Sequence, residues 1–138
     1  MSISSKIGLT FCTIAAFICF PVAAQEVGVA SAVRNEVFVK SESDADPRGA
    51  EIGTDIKVKD LVTSGDQSAM QVLLLDETTF TIGPRAEMVI DRFVYDPDAQ
   101  GGEMTATVAK GAFRFMSGKT AKNPENVRVN TPVASMGI

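Results

Sequence analysis

Residues 69–82 read Ala-Met-Gln-Val-Leu-Leu-Leu-Asp-Glu-Thr-Thr-Phe-Thr-Ile, and their pattern indicates the fold class. Its first half alternates side chains with a period of two, which is typical of a β-strand. Both faces of that run are largely apolar, which favours a central strand covered on each side. Asp76 and Glu77 then supply turn chemistry, and Phe80 and Ile82 begin the next alternating run. The stretch therefore predicts two consecutive strands joined by a turn.

The same spacing recurs on both sides of this stretch. Further apolar alternations are Val27 and Val29, Val37 and Val39, Met88 and Ile90, Met104 to Val108, Phe113 and Phe115, and Val127 and Val129. Turn signals rich in Gly, Pro and Asp separate them. Residues 25–138 hold 14 Val and 9 Thr against 4 Leu, and branching at Cβ suits extended backbone. We predict an all-β fold in which short antiparallel strands form a sandwich or a short β-solenoid, preceded by an N-terminal signal-peptide helix.

Residues 1–24 have the features of an export signal. A head carrying Lys6 precedes the uncharged apolar run 7–20, and Val22-Ala23-Ala24 supplies the small residues that a signal peptidase needs. The run is shorter than the ~20 residues of a membrane span, although an uncleaved anchor is the alternative. We predict cleavage between Ala24 and Gln25, a single domain over residues 25–138, and a periplasmic or secreted protein that spans no membrane after cleavage.

Composition excludes several kinds of chemistry from the mature chain. Cys12 and Cys19 both lie in the predicted signal peptide, and the chain has no His. Thiolate and imidazole, the usual metal ligands and nucleophile–base pairs, are therefore absent after cleavage. The net charge is −4 and becomes −5 without Lys6, which argues against a nucleic-acid partner.

Two motifs resemble ligand sites only in part. Gly118-Lys119-Thr120 resembles the end of a P-loop, but Phe113 stands where the phosphate cradle needs glycine, so we expect no nucleotide. The run 96–101 resembles the opening of a calcium loop, but Thr107 stands where a bidentate Glu is required. We expect a solvated turn there.

The sequence predicts no catalytic, cofactor-binding or metal-binding residue. Ser117 and Lys119 are close enough for a Ser–Lys dyad, but a glycine-containing turn leaves the lysine in solvent and protonated. A small hydrolase that uses loop carboxylates remains open from the sequence alone.

Taken in order, these elements resemble the FecR-like domain of bacterial periplasmic proteins. That family's pattern is G-D-x-V-x-T, an aliphatic strand ending in D-G-T, a strand with P-x-S/A, then G-x-F/V-R and T-P-x-A. Lys59–Gly65 corresponds to the first element, and Val72–Ala86 contains both the second and the third. Phe93–Pro97 follows, and then Lys110–Gly118 and Asn130–Ile138 correspond to the last two elements. The resemblance covers residues 53–138.

The chain departs from that pattern twice. Glu77 stands where the family has glycine, so we expect a different turn after Asp76. The family continues G-I-R-G-T after its T-P-x-A segment, whereas this sequence stops at Gly137-Ile138. The second departure favours a chain truncated at its C-terminus.

The resemblance implies a contact module. The best-known members span the inner membrane, sense an outer-membrane iron–siderophore receptor and control a cytoplasmic sigma factor. This chain has a cleavable signal in place of their cytoplasmic segment, so only the non-catalytic periplasmic β domain is implied. We expect an envelope protein as partner, with an envelope polysaccharide or peptidoglycan as the alternative. No specific contact residue follows from the sequence, and the candidate contact surfaces are the exposed end of the Gly111–Gly118 strand and the C-terminal segment.

Overall fold

The computed structural model describes residue 18 and residues 25–99, 101–132 and 135–137. Regular structure in these residues is strand, apart from two short 3-10 helices at Lys119–Lys122 and Pro124–Asn126. The strands are β1 (Glu26–Arg34), β2 (Val37–Lys40), β3 (Arg48–Gly49), β4 (Asp55–Lys57), β5 (Leu61–Ser64), β6 (Ala69–Leu74), β7 (Thr79–Ile82), β8 (Glu87–Asp96), β9 (Gly101–Lys110), β10 (Phe113–Met116), β11 (Val127–Asn130) and β12 (Ser135–Gly137). Most of the predicted signal peptide, with Ala24, Cys12 and Cys19, lies outside the described residues.

The strands form two sheets that share one core. One sheet has the order β10-β7-β6-β1-β4, and the other has the order β12-β11-β9-β8-β5-β2-β3. A single hydrophobic cluster takes buried side chains from both, such as Phe80 from the first and Phe93 from the second. The described chain is therefore a two-layer sandwich, and the all-β prediction is confirmed.

One strand pair departs from the predicted antiparallel arrangement. β11 runs parallel to β9, whereas the other pairings among the described strands are antiparallel. A parallel pair needs a long connection to bring the chain back to its starting end. Residues 111–126 provide it, because the chain crosses to the other sheet as β10 and returns through the two 3-10 helices.

The alternating runs in the sequence all lie in strands, namely β1, β2 and β6 to β11. β6 is the central strand of its sheet, as predicted. The prediction that it is covered on both faces is wrong, because Leu73 is 39% exposed and Leu75 is 56% exposed. A two-layer sandwich buries only one face of each sheet, and no described residue forms a third layer over this one.

Candidate functional site

Asp76 lies at the turn between β6 and β7 and is fully buried. Its carboxylate accepts hydrogen bonds from the Thr78 amide at 3.0 Å, the Thr78 hydroxyl at 2.7 Å and the Thr120 amide at 3.2 Å. The Asp76 carbonyl also accepts from the Lys119 amide at 2.8 Å, and the Gly118 amide donates to the Thr78 hydroxyl at 3.1 Å. We call Asp76, Thr78 and residues 118–120 the Asp76 node. It ties the β6–β7 turn to the chain that follows β10.

Glu77 keeps the backbone conformation that glycine would adopt. Its φ is +69°, in the left-handed region that favours glycine. Lys59, at the glycine position of the G-D-x-V-x-T pattern, has a φ of +71°. Glu77 and Lys59 therefore each carry a charged side chain on a backbone conformation that glycine adopts more readily. The Glu77 carboxylate accepts a hydrogen bond from Lys119 Nζ at 2.7 Å.

Asp60, next to Lys59, is a second buried carboxylate and is 1% exposed. It accepts from the Ser41 hydroxyl at 2.6 Å and from the Lys57 amide at 2.9 Å. Arg48 adds a longer ionic contact at 3.9 Å. Like Asp76, this side chain holds loops together, and its oxygens are engaged by the protein itself.

The structure gives the Ser117–Lys119 pair no support as a dyad. Lys119 donates to Glu77, and this hydrogen bond, followed by the charge of the same carboxylate, raises the pKa of Lys119 above its ordinary value. A general base needs the opposite shift, because it must lose its proton near neutral pH. The lysine is therefore a cation that fixes the β6–β7 turn.

The Asp96 turn is capped by its own carboxylate. Asp96 Oδ1 accepts from the Asp98 amide at 2.9 Å and from the Ala99 amide at 3.3 Å, which is how aspartate closes a turn. In the described part of the chain no group of three or more Asp, Glu, His or Cys side chains could hold a metal ion.

β10 presents an edge of the five-stranded sheet. Its register with β7 pairs Phe113 with Ile82 and Phe115 with Phe80, and the Gly83 amide donates to the Ala112 carbonyl at 2.9 Å. Hydrogen-bonded pairs alternate along an antiparallel ladder, so Arg114 and Met116 bond to β7. The main-chain groups of Phe113 and Phe115 point the other way, to the side we call the free edge. Among the described residues, no strand pairs with that side.

The side chains of β10 alternate in the same way. The rings of Phe113 and Phe115 are half-buried and contact Phe80, with centroids 5.9 and 5.3 Å away. Arg114 and Met116 are exposed on the outer face of the sheet, and Met116 is 56% exposed. The strand is thus anchored by its aromatic side chains, and no strand in the described part of the chain pairs with its free edge.

Apolar side chains cross the outer face towards β10. The register places Met116 opposite Thr79, Thr79 opposite Leu73, and Leu73 opposite Val29. We call Met116, Leu73 and Val29 the apolar row, which Thr79 interrupts, and Leu75 is a second exposed leucine two residues beyond Leu73. Sequence reasoning missed this surface because it assigned Leu73 and Leu75 to a covered face.

A polar cleft on the other sheet is the candidate site for a glycan ligand. Its volume is about 190 Å³, and its wall carries an ion pair between Arg92 and Glu103 at 2.8 Å. The remaining lining residues are Met104, Thr105, Glu125, Asn126 and Arg128. None of these offers the aromatic platform on which a sugar ring stacks.

Fold and site together define a two-layer all-β domain with two buried carboxylates and a sheet edge that no described strand covers. A family model described as "FecR protein" matches residues 60–138, more than half of the chain. The chain belongs to the FecR family, an envelope-associated and non-enzymatic family of signalling regulators. Neither the curated proteins nor the solved structures gave a match. Among the described residues, no helix is both long enough and apolar enough to cross a membrane.

Proposed function

We propose that this chain is an exported, non-catalytic domain of the bacterial envelope that binds another envelope protein through β10. The observation that carries the proposal is the free edge beside the apolar row. An exposed edge offers unpaired N–H and C=O groups to an added strand, and exposed apolar side chains beside it add contact area. Leu73 and Met116 lie on either side of Thr79 on this surface.

The absence of catalysis is part of the proposal. The buried carboxylates of Asp60 and Asp76 are occupied by hydrogen bonds from the protein, and Lys119 is held as a cation by Glu77. Groups arranged in this way stabilise a fold and have little freedom to transfer protons. A role in signal sensing fits the family, because a sensor has to contact its partner.

Export through residues 1–24 places the domain in the periplasm or outside the cell. Mass spectrometry of the exported protein tests this directly. A mature chain that begins at Gln25 supports export with cleavage, whereas retention of Met1 to Ala24 contradicts it.

Site-specific photo-cross-linking in the producing cell tests the contact surface. The photoreactive amino acid replaces Met116 beside the free edge, and in a matched variant it replaces Phe38, which is 41% exposed on the other sheet. We expect a discrete cross-linked protein from position 116 and none from position 38. Equal cross-linking from both positions, or none from 116, contradicts the proposal.

A cell-wall binding assay addresses the alternative of a glycan ligand. Purified peptidoglycan should leave the protein in the supernatant after sedimentation. Retention on the cell wall together with no cross-linked protein at position 116 would replace the protein partner by a glycan.

A further inference from the structure

The charge around β10 differs in sign from that of the chain as a whole. Between Glu103 and Glu125 the sequence has four basic residues and no acidic residue, although the net charge of the chain is −4. The four are Lys110, Arg114, Lys119 and Lys122. This segment contains β10 and the chain on both sides of it. The stretch of sequence around β10 therefore carries only basic side chains in a chain that is acidic overall.

Lys110 and Lys119 are paired with carboxylates, whereas Arg114 is not. Lys110 Nζ lies 3.1 Å from Glu87, and Lys119 Nζ lies 2.7 Å from Glu77. Arg114 is exposed on β10 and makes no ion pair with any described residue. Its guanidinium is available to a carboxylate on a neighbouring strand.

The pleat of β10 dictates the pattern of a strand that adds to it. Residues directly opposite in neighbouring strands share a face, so a side chain opposite Arg114 stands on the outer face. Side chains opposite Phe113 and Phe115 point towards the core. A cleft of about 380 Å³ adjoins this inner side, lined by Phe113, Pro132 and the residues that end β9. Its lining offers space for an apolar side chain.

We propose that the occupant of the free edge is an extended acidic segment of a partner protein, in which carboxylate side chains alternate with apolar ones. One carboxylate of the segment lies opposite Arg114 on the outer face, an apolar neighbour enters the cleft beside Phe113, and the main chain pairs with Phe113 and Phe115. The inference rests on the proposed function, because it names the chemistry of the partner at the same surface.

Fluorescence anisotropy with two labelled peptides tests the charge. One nine-residue peptide alternates valine with glutamate, and the other alternates valine with lysine. We expect the full-length protein to bind the glutamate peptide at least tenfold more tightly than the lysine peptide. Raising NaCl from 0.05 to 0.5 M should weaken binding, because salt screens exposed charges. Equal affinity for both peptides, or no binding of the glutamate peptide, overturns the inference.

Charge reversal locates the interaction. Arg114→Glu should weaken binding of the glutamate peptide at least tenfold and improve binding of the lysine peptide. Arg34→Glu is the matched control, because Arg34 is also exposed and lies on β1, three strands from β10 in the same sheet. It should change affinity less than twofold. Equal effects of the two substitutions contradict docking at β10.

Amide hydrogen exchange tests the main-chain pairing. In the free protein we expect slow exchange at Arg114 and Met116, whose amides bond to β7, and fast exchange at Phe113 and Phe115. The glutamate peptide should slow exchange at Phe113 and Phe115 by tenfold or more. If it binds without this protection, pairing at the free edge is wrong.

The peptide experiment tests the acidic segment, and the cross-linking experiment tests the proposed function, so the two proposals can be refuted independently. If position 116 cross-links to an envelope protein but the glutamate peptide is not preferred, the proposal of an acidic segment is refuted and the proposed function is retained. Loss of the cross-link as well removes both.

Discussion

Replacing Asp76 by alanine should destabilise the protein more than any exposed substitution, since its carboxylate is the centre of the Asp76 node. Asp76→Ala leaves the Thr78 and Thr120 amides without acceptors, and both residues are 1% exposed. A buried donor left unsatisfied costs about 1–3 kcal/mol, so the two together cost about 2–6 kcal/mol. The total stability of a domain is about 5–15 kcal/mol, so the variant should lose a large share of it.

Urea unfolding followed by far-ultraviolet circular dichroism measures this loss, since the chain has no Trp and one Tyr. Asp76→Asn is expected to lose about half as much, because the amide keeps one acceptor oxygen and presents a donor where the carboxylate had its second. Asp66→Ala is the matched control. Asp66 is 82% exposed, and its ion pair with Arg85 spans 3.5 Å at the surface, so its loss should cost below about 1 kcal/mol.

The result that refutes the reasoning is a loss for Asp76→Ala within about 1 kcal/mol of that for Asp66→Ala. Equal denaturant slopes for the variants are required for the comparison, because a changed slope means a changed unfolded or native ensemble.

Three further predictions concern the same turn. Glu77→Gly should be more stable than Glu77→Gln by about 1 kcal/mol, which corresponds to about 3–6 °C in Tm. Both variants lose the ion pair with Lys119, but only glycine adopts the left-handed φ without strain. Equal Tm values for the two variants contradict this prediction. Gly118→Ala should lose about 2–3 kcal/mol, because its Cβ would lie 2.3 Å from the Asp76 carbonyl oxygen and the Thr78 amide nitrogen; urea unfolding unchanged from wild type contradicts it. The pKa of Lys119 is raised above 10.5, so the stability from its pair with Glu77 is present below pH 10.5 and lost as the pH rises through the folded-state pKa. The Tm difference between wild type and Glu77→Gln should shrink between pH 9 and about pH 12, and a constant difference contradicts it.

Periodicity was sufficient to predict the strands because each burial pattern is local. Val37 and Val39 are buried on either side of the exposed Phe38, and the sequence shows that alternation directly. A period of two shows which residues share a face, but not whether another layer covers it. Leu73 and Leu75 were misassigned for this reason. The apolar row became visible only when the register of β10, β7 and β6 was known.

The Asp76 node could not be predicted from spacing, because Asp76 and Thr120 are separated by 44 positions. The sequence identified Asp76 as a turn residue and Gly118 as part of another turn. Only the folded chain shows that the two turns meet and that Gly118 is needed for a close approach of backbones. The parallel pairing of β9 and β11 likewise depends on the connection between the two strands, and no local sequence pattern indicates it.

Residues of the motifs that resemble the FecR pattern hold β10 in place at both of its ends. At one end of the strand, the Asp76 node holds residues 118–120. At the other end, Gly111 lies so close to Ala86 that an added Cβ would be 2.6 Å from that residue's Cβ, and Gly83 bonds to Ala112. A strand fixed at both ends loses little conformational freedom when it pairs with a partner. The same contacts that stabilise the fold therefore preorganise the free edge for the partner proposed above.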